Sequence, residues 1–169
     1  MCASSEELLS TIPRVPGIYV LIVKVLTTIC LRVRSLGVVE VPEGYVVYVG
    51  SAWGFGGLKS RLSRHLRKSK SVKWHIDYIT CSYFTRVEAI VYAERAGREL
   101  EHVLATEFSK FFKPLARGFG SSDCRCVAHA FIAGQDLEQV LTTVVATFRK
   151  HGLNPMLVTI ATATNSKSS

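Results

Sequence analysis

Apolar positions recur along this chain at two spacings, every second residue and every third or fourth, which predict strands and helices respectively. Residues 17–25 are almost wholly apolar and read as a largely buried strand. Residues 28–34 end in strict alternation and 38–41 add a short strand, with turns at 36–37 and 42–44. Residues 45–51 are the strongest strand of all, aromatic and β-branched up to Gly50. Further strands are expected at 86–93 and 127–133, and an edge strand at 156–160. Closely spaced strands joined by short turns argue for an antiparallel meander.

Helical spacing takes over in four places. Residues 1–12 form a short lead-in, with Ser4 or Ser5 as cap, Glu6 and Glu7 in the first turn, and Pro13 and Pro16 at its end. Leu58, Leu62 and Leu66 repeat every four residues over 58–68. At about 100° per residue, Arg61 and His65 fall beside that leucine stripe, whereas Lys59, Arg64, Arg67 and Lys68 point toward solvent. A helix over 95–112 places Leu100, Val103, Leu104, Phe108 and Phe111 on one face, with Pro114 setting its end. A last helix runs from Asp136, its cap, to about Lys150, and Gly152 stops it. The expected architecture is an α/β (α+β) domain, a small mainly antiparallel sheet flanked by helices. It spans 13–135, followed by a helix and possible edge strand at 136–160 and a disordered tail at 161–169.

Composition narrows the class. Of 169 residues, 48% are hydrophobic, enough for a packed core, and the net charge of +8 favours a polyanionic partner, nucleic acid above all. The most apolar stretch, 18–31, is broken by Lys24 and is too short to span a bilayer, so no membrane role is expected. The N-terminus shows no basic region followed by an apolar segment. Five cysteines in a chain of this size read as reduced thiols in the cytoplasm.

The candidate chemistry gathers around residues 45–68. A strand, a glycine-rich loop and a basic helix in succession can hold a phosphate, because glycine lets backbone N–H groups approach and a helix start favours anions. Lys59, Arg64, Arg67, Lys68, Lys70 and Lys73 are the candidate phosphate contacts, and Trp53, Phe55 and Trp74 are candidates for base stacking. The bland alternative is a solvated basic face with aromatics in the core. Glu107 falls within the apolar face of its helix, and a buried glutamate needs a partner or a metal. Cys124, Cys126 and His129, with His75 as a further donor, suggest zinc, although the spacing is not Cys-x-x-Cys and structural cysteines beside a tight loop are the preferred reading.

Gly17, Ile18 and Tyr19, with Tyr48, Val49 and Gly50, resemble the two signature triplets of the GIY-YIG nuclease superfamily. Leu58, Arg61, Leu62 and His65 are similar to that family's following helix, and Glu101 sits in a matching Leu-Glu-x-x-Leu setting. The stretches 48–52, 74–78 and 118–124 resemble one branch, the related domain of unknown function 123. The resemblance covers roughly 13–133. It implies metal-dependent phosphodiester hydrolysis of DNA, in repair or recombination, with RNA as an alternative substrate. By the same resemblance Glu101 would bind one Mg²⁺ or Mn²⁺, with Glu107 as the alternative ligand. Tyr48 would help deprotonate the attacking water, Tyr19 would position it, Arg61 would hold the scissile phosphate, and His65 would support the group. His65 reads equally well as a satisfied core histidine.

Three departures stand beside the match. The triplets are far apart, which requires an inserted strand pair. Ser51 and Ala52 stand where the family usually has a lysine. No asparagine follows Pro114 at the usual distance, and Ser122 or Asp123 is the candidate substitute. Two other functions therefore stay open, a nucleic-acid-binding domain without turnover and a zinc-bearing interaction domain.

Overall fold

The run 17–25 is apolar on both sides because β1 (Gly17–Val25) lies in the middle of a sheet that is covered on both faces. In the computed structural model, which describes residues 4–160, β1 pairs antiparallel with β4 (Gly44–Ala52) on one side and β5 (Thr85–Glu94) on the other. Beyond β4 come β7 (Ala130–Ile132) and the two-residue β6 (Lys113–Pro114), and beyond β5 comes β8 (Met156–Thr159). The sheet order is β6-β7-β4-β1-β5-β8, antiparallel throughout. β2 (Ile29–Val33) and β3 (Gly37–Val41) form a separate hairpin, the inserted pair between the two triplets. The expected meander is therefore corrected. The hairpin leaves the sheet, β4 returns beside β1, and β5 crosses to β1's other edge.

Five helices complete the described residues: α1 (Ser5–Ser10), α2 (Gly57–Leu66), α3 (His75–Thr80), α4 (Leu100–Phe108) and α5 (Leu137–Lys150). Ser4 caps α1 by accepting from the Glu7 amide at 3.2 Å, and the Glu7 carboxylate accepts from the Ser4 amide at 2.9 Å. Asp136 caps α5, accepting from the Gln139 amide at 3.2 Å. The expected helix over 95–112 is shorter at both ends. Arg95 adopts a left-handed φ of 54°, which no helix continues, and Phe111 lies past the last turn with 60% of its surface exposed rather than on the apolar face. Among the described residues, no helix is long and apolar enough to cross a membrane. The tail expected to be disordered, 161–169, lies outside the described residues.

Two cores sit on opposite faces of the sheet. Tyr19, Leu21, Val46 and Tyr48 pack with Leu58 and Leu62 of α2, Ile76 and Ile79 of α3, and Val33, Val39 and Val41 of the hairpin. Ile18, Val20, Val47 and Val49 pack with Leu104 and Phe108 of α4 and with Val140, Val144 and Phe148 of α5. Alternate residues of β1 and β4 thus face different helix pairs, as strand geometry requires. The helix and strand after residue 136 close one core and extend the sheet.

The two triplets meet across the β1–β4 ladder, where Tyr19 stands opposite Gly50. The Tyr19 ring lies directly over Gly50, so a Cβ there would sit 2.5 Å from Tyr19 Cζ. Gly50 is required because only a bare backbone leaves room for the ring. Gly50→Ala is expected to destabilise by about 1–3 kcal/mol through overpacking. Urea titration measures this, and pairing it with Tyr19→Ala should recover part of the loss. A full additive loss would show that the ring and the glycine do not compete for this space.

Candidate active site

β4 continues to Ala52 although β7 covers it only from Val46 to Tyr48, so its last residues present both faces of the sheet at one open edge. A cavity of about 410 Å³ opens there. Tyr19, Tyr48 and Gly50 enter it from one face, Arg61 from α2, and Trp74 and His75 from the start of α3. Ser51 and Glu101 enter from the other face, and Ser122 and Asp123 lie exposed at the rim. Of the candidate catalytic and metal-binding residues, Tyr19, Tyr48, Arg61 and Glu101 thus share one cavity, with the candidates Lys73, Ser122 and Asp123 also lining it.

His65 is buried just behind the tyrosines, its Nε2 2.7 Å from the Tyr19 hydroxyl. Its ring lies 6.2 Å from that of Tyr48 and 6.0 Å from that of Trp74. Burial, reinforced by the Lys70 ammonium, lowers its pKa to about 3, so the imidazole is neutral. Burial raises both tyrosine hydroxyls well above the usual phenol value, and the Arg61 guanidinium offsets this only in part. The pocket by itself keeps Tyr48 protonated.

One wall depends on Asp77, whose carboxylate is fully buried. It accepts two parallel hydrogen bonds from Arg64 at 2.9 Å each, and one each from the Lys73 and Trp74 amides at 2.8 and 3.0 Å. Burial alone would raise its pKa, and these donors bring it below the ordinary value. Arg61 and Arg64 each place the guanidinium carbon 4.3 Å from the Trp74 ring centroid.

These contacts correct the solvated basic face. Arg64 faces Asp77. Lys70 donates to the carbonyls of Arg64 and His65 at 3.1 and 3.0 Å and to Thr80 at 2.9 Å, closing the C-terminus of α2. Lys68 Nζ donates to the Ser82 and Thr85 carbonyls. Lys59 and Arg67 line a different cavity, beside α1, and Lys73 lines the candidate site. Of the aromatics, Phe55 is fully exposed, Trp53 is partly exposed with Arg98 5.6 Å from its ring, and Trp74 belongs to the pocket.

Glu101, at the first turn of α4, accepts from the Ser51 hydroxyl, and its Oε1 lies 3.1 Å from Nδ1 of buried His129. Burial would raise its carboxyl, but His129 and Ser51 hold it below the ordinary value and therefore ionised. Ser51, one of the two residues standing in place of a lysine, thus contacts this carboxylate directly. Glu107 is not an alternative ligand in this pocket. Lys110 at 2.6 Å and Lys150 at 2.9 Å pair with it and pull its carboxyl down to about 2, so its partner is a pair of lysines.

The glycine loop closes the remaining side. The Gly120 amide donates to His75 Nδ1 at 2.9 Å, which leaves the proton of the neutral ring on Nε2, 3.3 Å from the Ser35 hydroxyl. Gly120 has φ +75°, and a Cβ there would stand 3.1 Å from both Tyr48 and His129. His75 therefore fixes the loop rather than joining the cysteines. Cys124 and Cys126 meet two histidines. Cys124 Sγ lies 3.4 Å from His129 Nε2, and Cys126 Sγ lies 3.4 Å from Nδ1 of His102, a residue the spacing did not single out.

Comparison with known proteins gives one finding. A family model described as "Domain of unknown function DUF123" matches residues 18–152, a stretch that includes α5. No curated protein and no solved structure matches.

Two outcomes follow from the buried groups. Asp77→Ala leaves Arg64 without its partner and is expected to cost about 3–5 kcal/mol, read from the denaturant midpoint. A loss below 1 kcal/mol would show that the pair does not organise this wall. His65 takes a proton near pH 3 when folded but near 6.5 when unfolded, so the unfolded chain binds more protons as pH falls below about 6.5. Stability should therefore fall with pH across that window, by up to about 1.4 kcal/mol per unit from this group. His65→Gln should flatten the slope between about pH 6.5 and 5, to which His75, also lowered by burial, contributes as well. An unchanged slope would mean that folded His65 carries its proton.

Proposed function

Since the chain belongs to the DUF123 family, whose description assigns no activity, we propose its function from the pocket: metal-dependent phosphodiester hydrolysis of nucleic acid, as a DNA endonuclease of the GIY-YIG type. The observation that carries this reading is the convergence of Tyr19, Tyr48, Arg61 and Glu101 on one open cavity, with Tyr19 seated over Gly50. Repair or recombination is the matching setting. The unpaired thiols of Cys30, Cys81, Cys124 and Cys126 agree with the cytoplasm.

The acid fits a hard cation. Each Glu101 oxygen has one protein partner, which leaves lone pairs on both, and oxygen donors suit Mg²⁺ or Mn²⁺. Such an ion would supply the positive charge that offsets the growing negative charge on the phosphate. Arg61, held against Trp74, binds a phosphate oxygen and stabilises the same charge. With positive charge in the pocket lowering its pKa, Tyr48 would first give up its own proton to solvent and then, as the phenolate, accept the proton of the attacking water. Tyr19, bonded to neutral His65, keeps a hydroxyl dipole beside it. Lys73 and the exposed Trp53 and Phe55 extend the contact along the nucleic acid.

One observation favours a second reading, a binding domain that does not turn over. Tyr48 is deeply buried, its proton is hard to remove, and the lysine and asparagine of the nuclease pattern are missing. Cleavage of branched, flapped and linear DNA with Mg²⁺ or Mn²⁺ separates the two. Tyr48→Phe, Arg61→Ala and Glu101→Ala should each lower the rate by about 10²–10³-fold. Equal traces of cleavage in all four proteins would mean a contaminant and would sink the enzyme. Binding that persists in Tyr48→Phe, with a steep salt dependence, would then favour the second reading.

A further inference from the structure

Behind the pocket, four donor atoms from His102, Cys124, Cys126 and His129 all lie within 4.8 Å of one another. His102 comes from α4, and the other three come from the loop between Phe119 and β7. No short sequence pattern joins them, because two separate elements must fold together before the set exists. We propose that this cluster is a tetrahedral Zn²⁺ site of the Cys₂His₂ type, which locks the loop to α4 and orients Glu101 through His129.

The distances support that geometry. Zinc–sulfur bonds near 2.3 Å and zinc–nitrogen bonds near 2.0–2.1 Å give a tetrahedron with edges of roughly 3.3–3.8 Å. The two sulfur–nitrogen pairs already stand at 3.4 Å. The rings of His102 and His129 are 5.6 Å apart, as two imidazoles on one ion can be. Thiolates and imidazoles together select zinc over the hard cations suited to the neighbouring oxygen pocket. Binding releases the two thiol protons, and the resulting Zn²⁺ with two thiolates and two neutral imidazoles has no net charge.

His129 links the two places. Its Nε2 faces Cys124, and its Nδ1 lies 3.1 Å from Glu101 Oε1. Zinc on Nε2 would fix the proton on Nδ1, a buried atom with no hydrogen-bond partner of its own that stands 3.1 Å from the carboxylate oxygen, so that a small turn of the ring completes the usual arrangement of a carboxylate, a histidine and a zinc ion. Glu101 then has two fixed donors, Ser51 and His129, and its orientation in the pocket depends on an ion outside it. This inference does not need the protein to cut DNA, since metal content and spectroscopy read it directly.

The test is metal analysis of the full chain purified without chelator, followed by titration of the chelated protein with Co²⁺. About one zinc per chain is expected, with Co²⁺ giving thiolate charge transfer and the strong visible bands of tetrahedral coordination. Cys126→Ser and His102→Gln should lose the metal, and Cys30→Ser with Cys81→Ser should keep it. Where the cluster variants fail to fold, the native protein's stoichiometry and Co²⁺ spectrum decide. Glu101→Gln should retain zinc but hold it about 10–100-fold more weakly in chelator competition, while Glu99→Gln leaves the affinity unchanged. Less than a tenth of an equivalent together with no thiolate–cobalt band would overturn the site. Zinc lost with Glu101 but kept without Cys126 would move it to the oxygen pocket and also overturn the proposal. Unchanged affinity in Glu101→Gln would overturn the link through His129.

Discussion

The carboxylate of Asp77 has no access to water, and much of the molecule is arranged to supply its hydrogen bonds. Arg64 reaches it from α2, and the Lys73 and Trp74 amides reach it from the chain just before α3. An unpaired buried charge is costly, so these groups must assemble together or not at all. Their assembly fixes where Trp74 and His75 stand. Trp74 in turn gives Arg61 a surface to lie on, and His75 holds the Gly120 amide. The next residues of that loop carry Cys124 and Cys126. The wall of the pocket, the glycine loop and the cysteines thus follow from one satisfied charge.

A second constraint sets the floor. Tyr19 can lie flat over β4 only because Gly50 stands opposite it, and the antiparallel register makes that pairing unavoidable once the strands align. The same register puts Tyr48 two residues away on the same face and Ser51 on the other. One strand end therefore offers a phenol to one side and a hydroxyl to the other, and Glu101 can reach the hydroxyl from α4. The electrostatic character comes from burial. His65 is neutral, both tyrosines are protonated, and Glu101 is an ionised carboxylate lining the cavity.

What the sequence made legible was local. The central strand, the leucine stripe of α2 and the caps Ser4 and Asp136 each express a rule that operates within a few residues. The reading of Arg61 and His65 at the edge of that stripe also rested on helical geometry alone; Arg61 lines the pocket, and His65 is buried behind its tyrosines. Its misses were long-range. α3 has too few residues to show a period, and its start depends on Asp77. Arg64 and Lys70 look like surface charge until a buried carboxylate and the open end of α2 are placed beside them. Glu107 showed that a buried acid needs a partner, but not that the partners were Lys110 and Lys150, the second on another helix. His102 was hidden for the same reason, since nothing in its neighbourhood along the chain announces two cysteines more than twenty residues away.

The corrected charges change how a polyanion would approach. With Arg64 turned to Asp77 and Lys68 and Lys70 bonded to backbone carbonyls, the basic cluster on and after α2 is weaker than its composition suggests, and the overall excess of +8 is not a continuous stripe there. Cations near the opening are instead Arg61 and Lys73, set against the carboxylates of Glu101 and Asp123. On the proposed reading, a site balanced in this way would attract a phosphate weakly by itself and more strongly once a cation joined Glu101, because the added charge would act within a few ångströms of the guanidinium's target. Affinity and proton removal from Tyr48 would then respond to the same ion. A neutral zinc cluster behind His129 suits that arrangement: it would fix the direction of the Glu101 carboxylate without adding charge that competes for it.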